Sequence, residues 1–357
     1  LVILVFFLFG FLEVNAYSAE SMIAIDMDSG RVLYEQNAYK EKLIASTTKI
    51  MTTIVAIEKL DLNTIIKVDE RVLKSYGSGI YIEVGEELTL KDLLYGLMLR
   101  SGNDAAIVIA NAVGGSMESF AYLMNQKAYE LGMSHTTFYN AHGLEEGDGS
   151  GNTSTAYDMA LLMRYAMQNE HFREITKTLD YEAKSNQKTY HWTNKNKLLR
   201  MYPYTIGGKT GFTEKARRTL VTAASKEGRN IVIVTLNDGN DFQDHQNLYE
   251  VLFQKYEAVS VLKKDQVEIP KFDFYHNDRL YLEKDVVLLA SKEEISDIHV
   301  TYEMDQLENY KSGDMVGSAH ILLQNKELMA VKVYVQKKSE EKKEGFFQKF
   351  FGWLFGW

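Results

Sequence analysis

The chain has 357 residues, 45% of them apolar, enough to bury one full-sized core and a second, smaller one. Its net charge of -9 does not supply the positive field that a nucleic-acid backbone requires, so no nucleic-acid partner is expected. It contains no cysteine, which excludes a disulfide framework, a thiolate metal site and a cysteine nucleophile.

Residues 1–12 are almost wholly apolar and lead into Val14-Asn15-Ala16, with compatible residues at -3 and -1 of a cleavage point. This reads as a signal peptide over residues 1–16, because a permanent span needs about 20 apolar residues. The expected location is therefore exported, on the outer face of the cytoplasmic membrane. Residues 22–38 alternate around Asp28-Ser29-Gly30 and predict a β-hairpin. Ile50, Ile54, Ile57 and Leu60 place one apolar stripe on a helix over 45–60. Residues 90–112 are helical on both sides of a break at Ser101-Gly102-Asn103, with Asn103-Asp104 as a candidate cap for the second half. Further helices are expected over 116–131 and 154–167, the latter capped by Ser154 or Thr155.

Strands follow over 205–210, 218–225 and 231–236, the last two joined by Lys226-Glu227-Gly228-Arg229, and then a helix over 244–256. With strands at both ends and helices between, the layout is α+β, one antiparallel sheet with helices packed around it. Beyond it, short alternating runs between 267 and 335 predict a small all-β domain. The expected division is 17–262 for the first domain, 263–336 for the second and 337–357 for the tail. In that tail Phe346, Phe350, Trp353, Leu354 and Trp357 share a helical face behind a charged stretch. A dozen residues do not cross a bilayer, so the tail is expected to lie in the headgroup layer as an amphipathic anchor.

Three short motifs carry chemistry. Ser46-Thr47-Thr48-Lys49 starts the first long helix, and residues three apart share a helical face, so the Lys49 amine can reach the Ser46 hydroxyl. A serine needs such a base before it attacks, and a lysine serves as one only with a depressed pKa. Ser101-Gly102-Asn103 offers a proton-relaying hydroxyl and a two-sided amide in an inter-helix turn. Lys209-Thr210-Gly211 offers a cation and a hydroxyl for a carboxylate, with a glycine where a side chain would block ligand approach. Each motif alone is ordinary. Together, in this order and on a helix start, a loop and a strand, they match the signature of penicillin-binding proteins and class A β-lactamases.

The chain resembles the low-molecular-mass penicillin-binding proteins that are D-alanyl-D-alanine carboxypeptidases, peptidase family S11. Supporting stretches are 45–52, 97–106 (LMLRSGNDAA), Gly143 onward to 154–158, and 209–224 (KTGFTEKARRTLVTAA). The last is similar to the sporulation-specific members, which would imply work on spore cortex. The resemblance implies a penicillin-binding/β-lactamase-like fold and cleavage of D-alanine from peptidoglycan stem peptides through an acyl-enzyme on Ser46. It also implies Lys49 as base, Ser101 and Lys209 passing the proton to the leaving D-alanine, and Asn103 positioning the peptide. Thr210 and Lys209 would receive the carboxylate beside Gly211, and the backbone N–H groups of Ser46 and Phe212 would form an oxyanion hole. β-Lactams would acylate Ser46. No cofactor and no metal are implied.

One departure stands out. Several relatives place a carboxylate-gripping arginine after the second strand of this region, where this chain has residues 238–245 without arginine; Arg217, Arg218 and His245 are the candidates in its place. The 148–152 loop lacks a full calcium-ligand ladder, and no His-Glu-x-x-His occurs to suggest a zinc peptidase. His142 and His191 are expected to be structural. A β-lactamase or a penicillin sensor without turnover would share the nucleophile, but the second domain and tail favour the carboxypeptidase.

Overall fold

A computed structural model describes residues 17–270 and 272–338. The signal peptide expected over 1–16, and all but the first two residues of the anchor expected over 337–357, lie outside the described residues.

The first strands are β1 (Ser21–Asp26) and β2 (Val32–Gln36), the hairpin expected from the sequence. A single 3-10 turn, Ala45–Thr48, leads into α1 (Lys49–Lys59), so Ser46 sits just ahead of the α-helix rather than inside it. The helical cluster continues with α2 (Leu90–Arg100), α3 (Asn103–Gly114), α4 (Met117–Glu130), α5 (Ala156–Ala166) and α6 (Glu170–Lys177). Thr89, Ser116 and Thr155 cap α2, α4 and α5 by accepting a backbone N–H three residues on. Asn103-Asp104 does not cap α3. Gly102 is the cap residue, and the Asn103 side chain is engaged elsewhere, as described below.

Next come a hairpin, β3 (Asp180–Lys184) and β4 (Thr189–Thr193), then the strands β5 (Thr205–Thr213), β6 (Arg217–Lys226) and β7 (Arg229–Leu236), and helix α7 (Asp241–Lys255). The main sheet has the order β2-β1-β7-β6-β5 and is antiparallel throughout, β1 pairing with β7 from Ser21 opposite Leu236 to Asp26 opposite Ile231.

Successive strand residues point to opposite faces, and here both faces are covered. Ile23, Ile25, Val232 and Val234 pack into the helical cluster, whereas Met22, Ala24, Ile231 and Ile233 pack against Leu248, Tyr249 and Leu252 of α7. Double coverage explains why β1 is a nearly continuous apolar run where alternation was expected over 22–38, and why residues 231–234 of β7 are one as well. The strand order leaves β5 at one edge, packed against α6 and the Ala45–Thr48 turn.

The C-terminal part is all-β. A two-stranded pair joins β8 (Glu257–Leu262) to β10 (Val286–Ala290), and a four-stranded sheet has the order β9-β13-β12-β11, from β9 (Arg279–Tyr281), β11 (Ile298–Met304), β12 (Met315–Leu323) and β13 (Lys326–Gln336). Val286 and Leu288 face this domain's own core while Leu289 joins the α7 cluster. Around that point Arg31 donates to the Leu289 carbonyl (2.7 Å) and pairs with Glu294, and the buried Asp26 carboxylate accepts the Leu289 N–H (3.1 Å). Three polar contacts thus fasten the β-rich part to the hairpin end of the main sheet.

Candidate active site

The nucleophile turn is strained and braced. Ala45 has φ 47°, a left-handed conformation that costs an ordinary residue about 1–3 kcal/mol. The Ile44 carbonyl just before it accepts from Thr47 N (3.2 Å), Thr47 Oγ1 (2.6 Å) and Thr219 Oγ1 (3.1 Å). On the other side lies Gly143, with φ 86°; a Cβ there would sit 2.0 Å from the Ala45 carbonyl oxygen. Only a glycine lets the 143 loop pass this close. Gly211 plays the matching part on β5, where an added Cβ would lie 3.0 Å from Ser46 N.

Lys49 is completely buried, and its Nζ lies 2.9 Å from Ser46 Oγ. The same nitrogen donates to Asn103 Oδ1 (2.8 Å) and to the His142 carbonyl (2.5 Å). A neutral amine has two N–H bonds and one lone pair. With both N–H groups on carbonyl oxygens, the lone pair is left for the Ser46 hydroxyl proton. The electrostatics favour that neutral form: burial first, then the Lys209 and Lys195 cations, hold Lys49 well below the usual lysine range.

A second lysine–serine pair faces the first. Lys209, 1% exposed, donates to Ser101 Oγ (3.1 Å) and to the Thr210 carbonyl (2.7 Å). Burial, with Lys195 nearby, brings its pKa down to about 7. Ser101 terminates α2 in a left-handed conformation, φ 65°, so the hydroxyls at both turns depend on backbone strain held by the surroundings.

Ser46, Ser101, Thr210, Gly211 and Phe212 line one cleft of about 380 Å³, together with Ser78, Lys195, Lys197, Arg218, Asp241 and Phe242. The three motifs therefore converge. Asn103 lies beneath the cleft, 2% exposed: its amide oxygen is on Lys49 and its amide nitrogen donates to the Tyr76 carbonyl (2.7 Å). Phe212 presents an exposed ring at the lip.

Position separates the three candidates for the missing arginine. Arg218 lines the cleft, donates to the buried Asp241 carboxylate (2.6 Å) and stands over the Phe242 ring at 5.5 Å. Arg217 is exposed and is not among the cleft residues. His245 is fully buried between the Thr222 and Thr235 hydroxyls, and burial takes its pKa down to about 3. Burial, with Lys49 alongside, likewise takes the His142 pKa down to about 3; its ring accepts the Leu144 N–H, and only its carbonyl reaches the site. His191 is exposed on the β4 hairpin, beside Glu182. Asp148 accepts from Ser150 N (2.8 Å) and Oγ (2.7 Å), a local turn.

Several residues of the site carry no sequence signal of their own. Ser78 and Tyr76 belong to a loop whose fixture is Asp104, which accepts Ile80 N (2.9 Å) and Tyr81 N (2.6 Å). That loop is braced from behind by β4, where Tyr190 donates to the buried Glu86 (2.7 Å). Lys195, which donates to Ser78 Oγ (3.2 Å), arrives from an irregular stretch after β4. Only an acidic residue directly after the Ser-Gly-Asn turn hinted at the loop's anchor.

Comparison with known proteins agrees with this geometry. The D-alanyl-D-alanine carboxypeptidase family, peptidase S11, matches residues 12–240, and the C-terminal domain of penicillin-binding protein 5 matches 256–341. The chain is 35% identical to the D-alanyl-D-alanine carboxypeptidase DacF of Bacillus subtilis, over 70% of this chain and 66% of that protein. It is 30% identical to DacC of Escherichia coli, over 97% of this chain and 92% of that one. The crystal structure of the carboxypeptidase DacD from Francisella tularensis superimposes with a TM-score of 0.68 at 25% identity, covering 90% of this chain and 94% of that one. A match over most of the chain, joined to two serine–lysine pairs at one cleft, leaves a single assignment: the chain belongs to the S11 family of D-alanyl-D-alanine carboxypeptidases.

Proposed function

We propose that this chain removes the terminal D-alanine from peptidoglycan stem peptides, with Ser46 as nucleophile and Lys49 as its base. The Ser46 oxygen bonds to the carbonyl carbon of the penultimate D-alanine as its proton passes to Lys49. The carbon–nitrogen bond then breaks. The leaving amine takes a proton through the Ser101–Lys209 pair, and water releases the shortened peptide from Ser46. Thr210, Arg218 and Lys209 receive the terminal carboxylate, and the backbone N–H groups of Ser46 and Phe212 stabilise the oxyanion. Asn103 orients Lys49, accepting from its Nζ while its own amide nitrogen is held by the Tyr76 carbonyl. The observation that supports this reading most is the Lys49 nitrogen, with two carbonyl acceptors and Ser46 as its remaining neighbour.

The setting belongs to the same proposal. Residues 1–16 direct export, residues 337–357 hold the protein at the outer surface of the cytoplasmic membrane, and β-lactams acylate Ser46. The 209–224 stretch supports work on spore cortex.

One assay tests the chemistry. Incubation with diacetyl-Lys-D-Ala-D-Ala should release D-alanine, and a fluorescent penicillin should leave a long-lived label, both lost in Ser46→Ala. Rapid loss of label would point to a β-lactamase, and label without D-alanine to a sensor.

Arg218 has its own signature. Charge-assisted hydrogen bonds contribute about 1.5–3 kcal/mol, so Arg218→Gln should raise KM for the tripeptide roughly 10- to 100-fold. The penalty should vanish with a C-terminally amidated peptide, which has no carboxylate to grip. An equal penalty on both peptides would remove Arg218 from carboxylate binding.

A further inference from the structure

The residue before the two D-alanines is the part of the substrate that the motifs do not address, and the fold places a charged group where it must lie. This inference rests on the reading above. Thr210 sits at the carboxylate end of the cleft, Gly211 backs onto Ser46 N, and Phe212 lies one residue further along β5, opposite Arg218 on β6. A peptide extended along β5 advances about 3.3 Å per residue. Its preceding residue therefore falls beyond Phe212, beside Thr213.

Glu145 is fixed at that position. Its carboxylate accepts from Thr213 Oγ1, and its backbone carbonyl accepts from the exposed Tyr76 hydroxyl (3.2 Å). It thereby bridges the β5 lip and the opposite lip. The loop that carries it is rigidly held. Gly143 packs on the Ala45 carbonyl, Gly143 N donates to Asn140 Oδ1 (2.7 Å), and Asn140 Nδ2 donates to the Leu144 carbonyl (2.9 Å). The side chain is partly buried and has no salt bridge among the described residues. Lys215, the nearest cation on the β5–β6 turn, packs on Gly149 and acts on Asp148 instead.

We infer that Glu145 is a specificity-determining residue whose carboxylate pairs with a side-chain ammonium on the residue preceding D-Ala-D-Ala. Such a carboxylate, half-shielded and held by only one hydrogen bond, is complementary to a primary amine and indifferent to an acylated one.

The test compares Nα-acetyl-Lys-D-Ala-D-Ala, which keeps its ε-amine, with the diacetylated peptide. The protein should favour the free amine in kcat/KM by about 5-fold at low salt, the preference shrinking as salt rises. Glu145→Gln keeps an acceptor for Thr213 but loses the charge, and should bring the ratio close to one. A wild-type ratio near one, or a preference that persists in Glu145→Gln, would overturn the inference. Hydrolysis of the diacetylated peptide reports the carboxypeptidase reading separately. No release from either peptide would overturn that reading and this inference with it.

Discussion

Lys49→Met is expected to lower the rate of Ser46 acylation by about three orders of magnitude, measured with a chromogenic penicillin and with the D-alanyl tripeptide. A positioned general base contributes roughly 10²–10⁴-fold, and methionine fills the buried volume without offering a lone pair. The pH profile gives a second, signed check. The base works when neutral, so acylation by the native protein should rise with pH, and should do so well below the ordinary lysine range because Lys49 is depressed by burial and by Lys209 and Lys195. Lys209→Gln removes one of those cations. The rising limb should therefore move to higher pH, whatever happens to the maximal rate. A limb that stayed put, or moved to lower pH, would contradict the electrostatic origin of Lys49 activation.

Gly143→Ala should be the most damaging change among residues that do no chemistry. An alanine in the left-handed region costs about 1–2 kcal/mol, and forcing a methyl against the Ala45 carbonyl adds an overpacking cost of about 1–3 kcal/mol. For a domain of this size each kcal/mol lowers Tm by about 2–4 °C, so a drop of roughly 5–15 °C is expected in a melting experiment. The displaced atom belongs to the residue before the nucleophile. Penicillin labelling at a temperature where the variant is fully folded should therefore slow as well. A variant that melts normally and labels normally would mean that the 143 loop simply moves aside.

Much of this was legible beforehand. The hairpin around Asp28-Ser29-Gly30, the paired helices either side of Ser101-Gly102 and the β6–β7 turn have local causes, namely turn residues and apolar periodicity, and the structure has them where those causes put them. The Ser46–Lys49 spacing works for the same reason, since positions three apart share a face in a 3-10 turn and in an α-helix alike. What escaped was non-local. The β3–β4 hairpin falls in a stretch where no element was expected, and the Tyr95 and Tyr181 rings, stacked at 3.6 Å, fix it on α2. Asn103 looked like a cap because its backbone position is right for one. Its amide was drawn to a buried amine 54 residues away, which no window along the chain reveals. The choice of Arg218 over His245 likewise depends on which way a strand and a helix turn their faces.

The order β2-β1-β7-β6-β5 has a consequence for how the chain reaches this state. The interior strand β1 is made early, but its partner β7, the central strand, lies roughly 200 residues further on, so the middle of the sheet closes across the whole helical cluster. Such long-range pairing makes folding slow, because loop-closure entropy is lost before the contacts that offset it can form. A growing or truncated chain ending before residue 229 would hold the nucleophile, both lysines and the Ser-Gly-Asn turn, yet leave Ile23 and Ile25 with β2 on one side and no strand on the other. Possession of every reactive group is thus not enough; maturity arrives only with the last strand of the sheet.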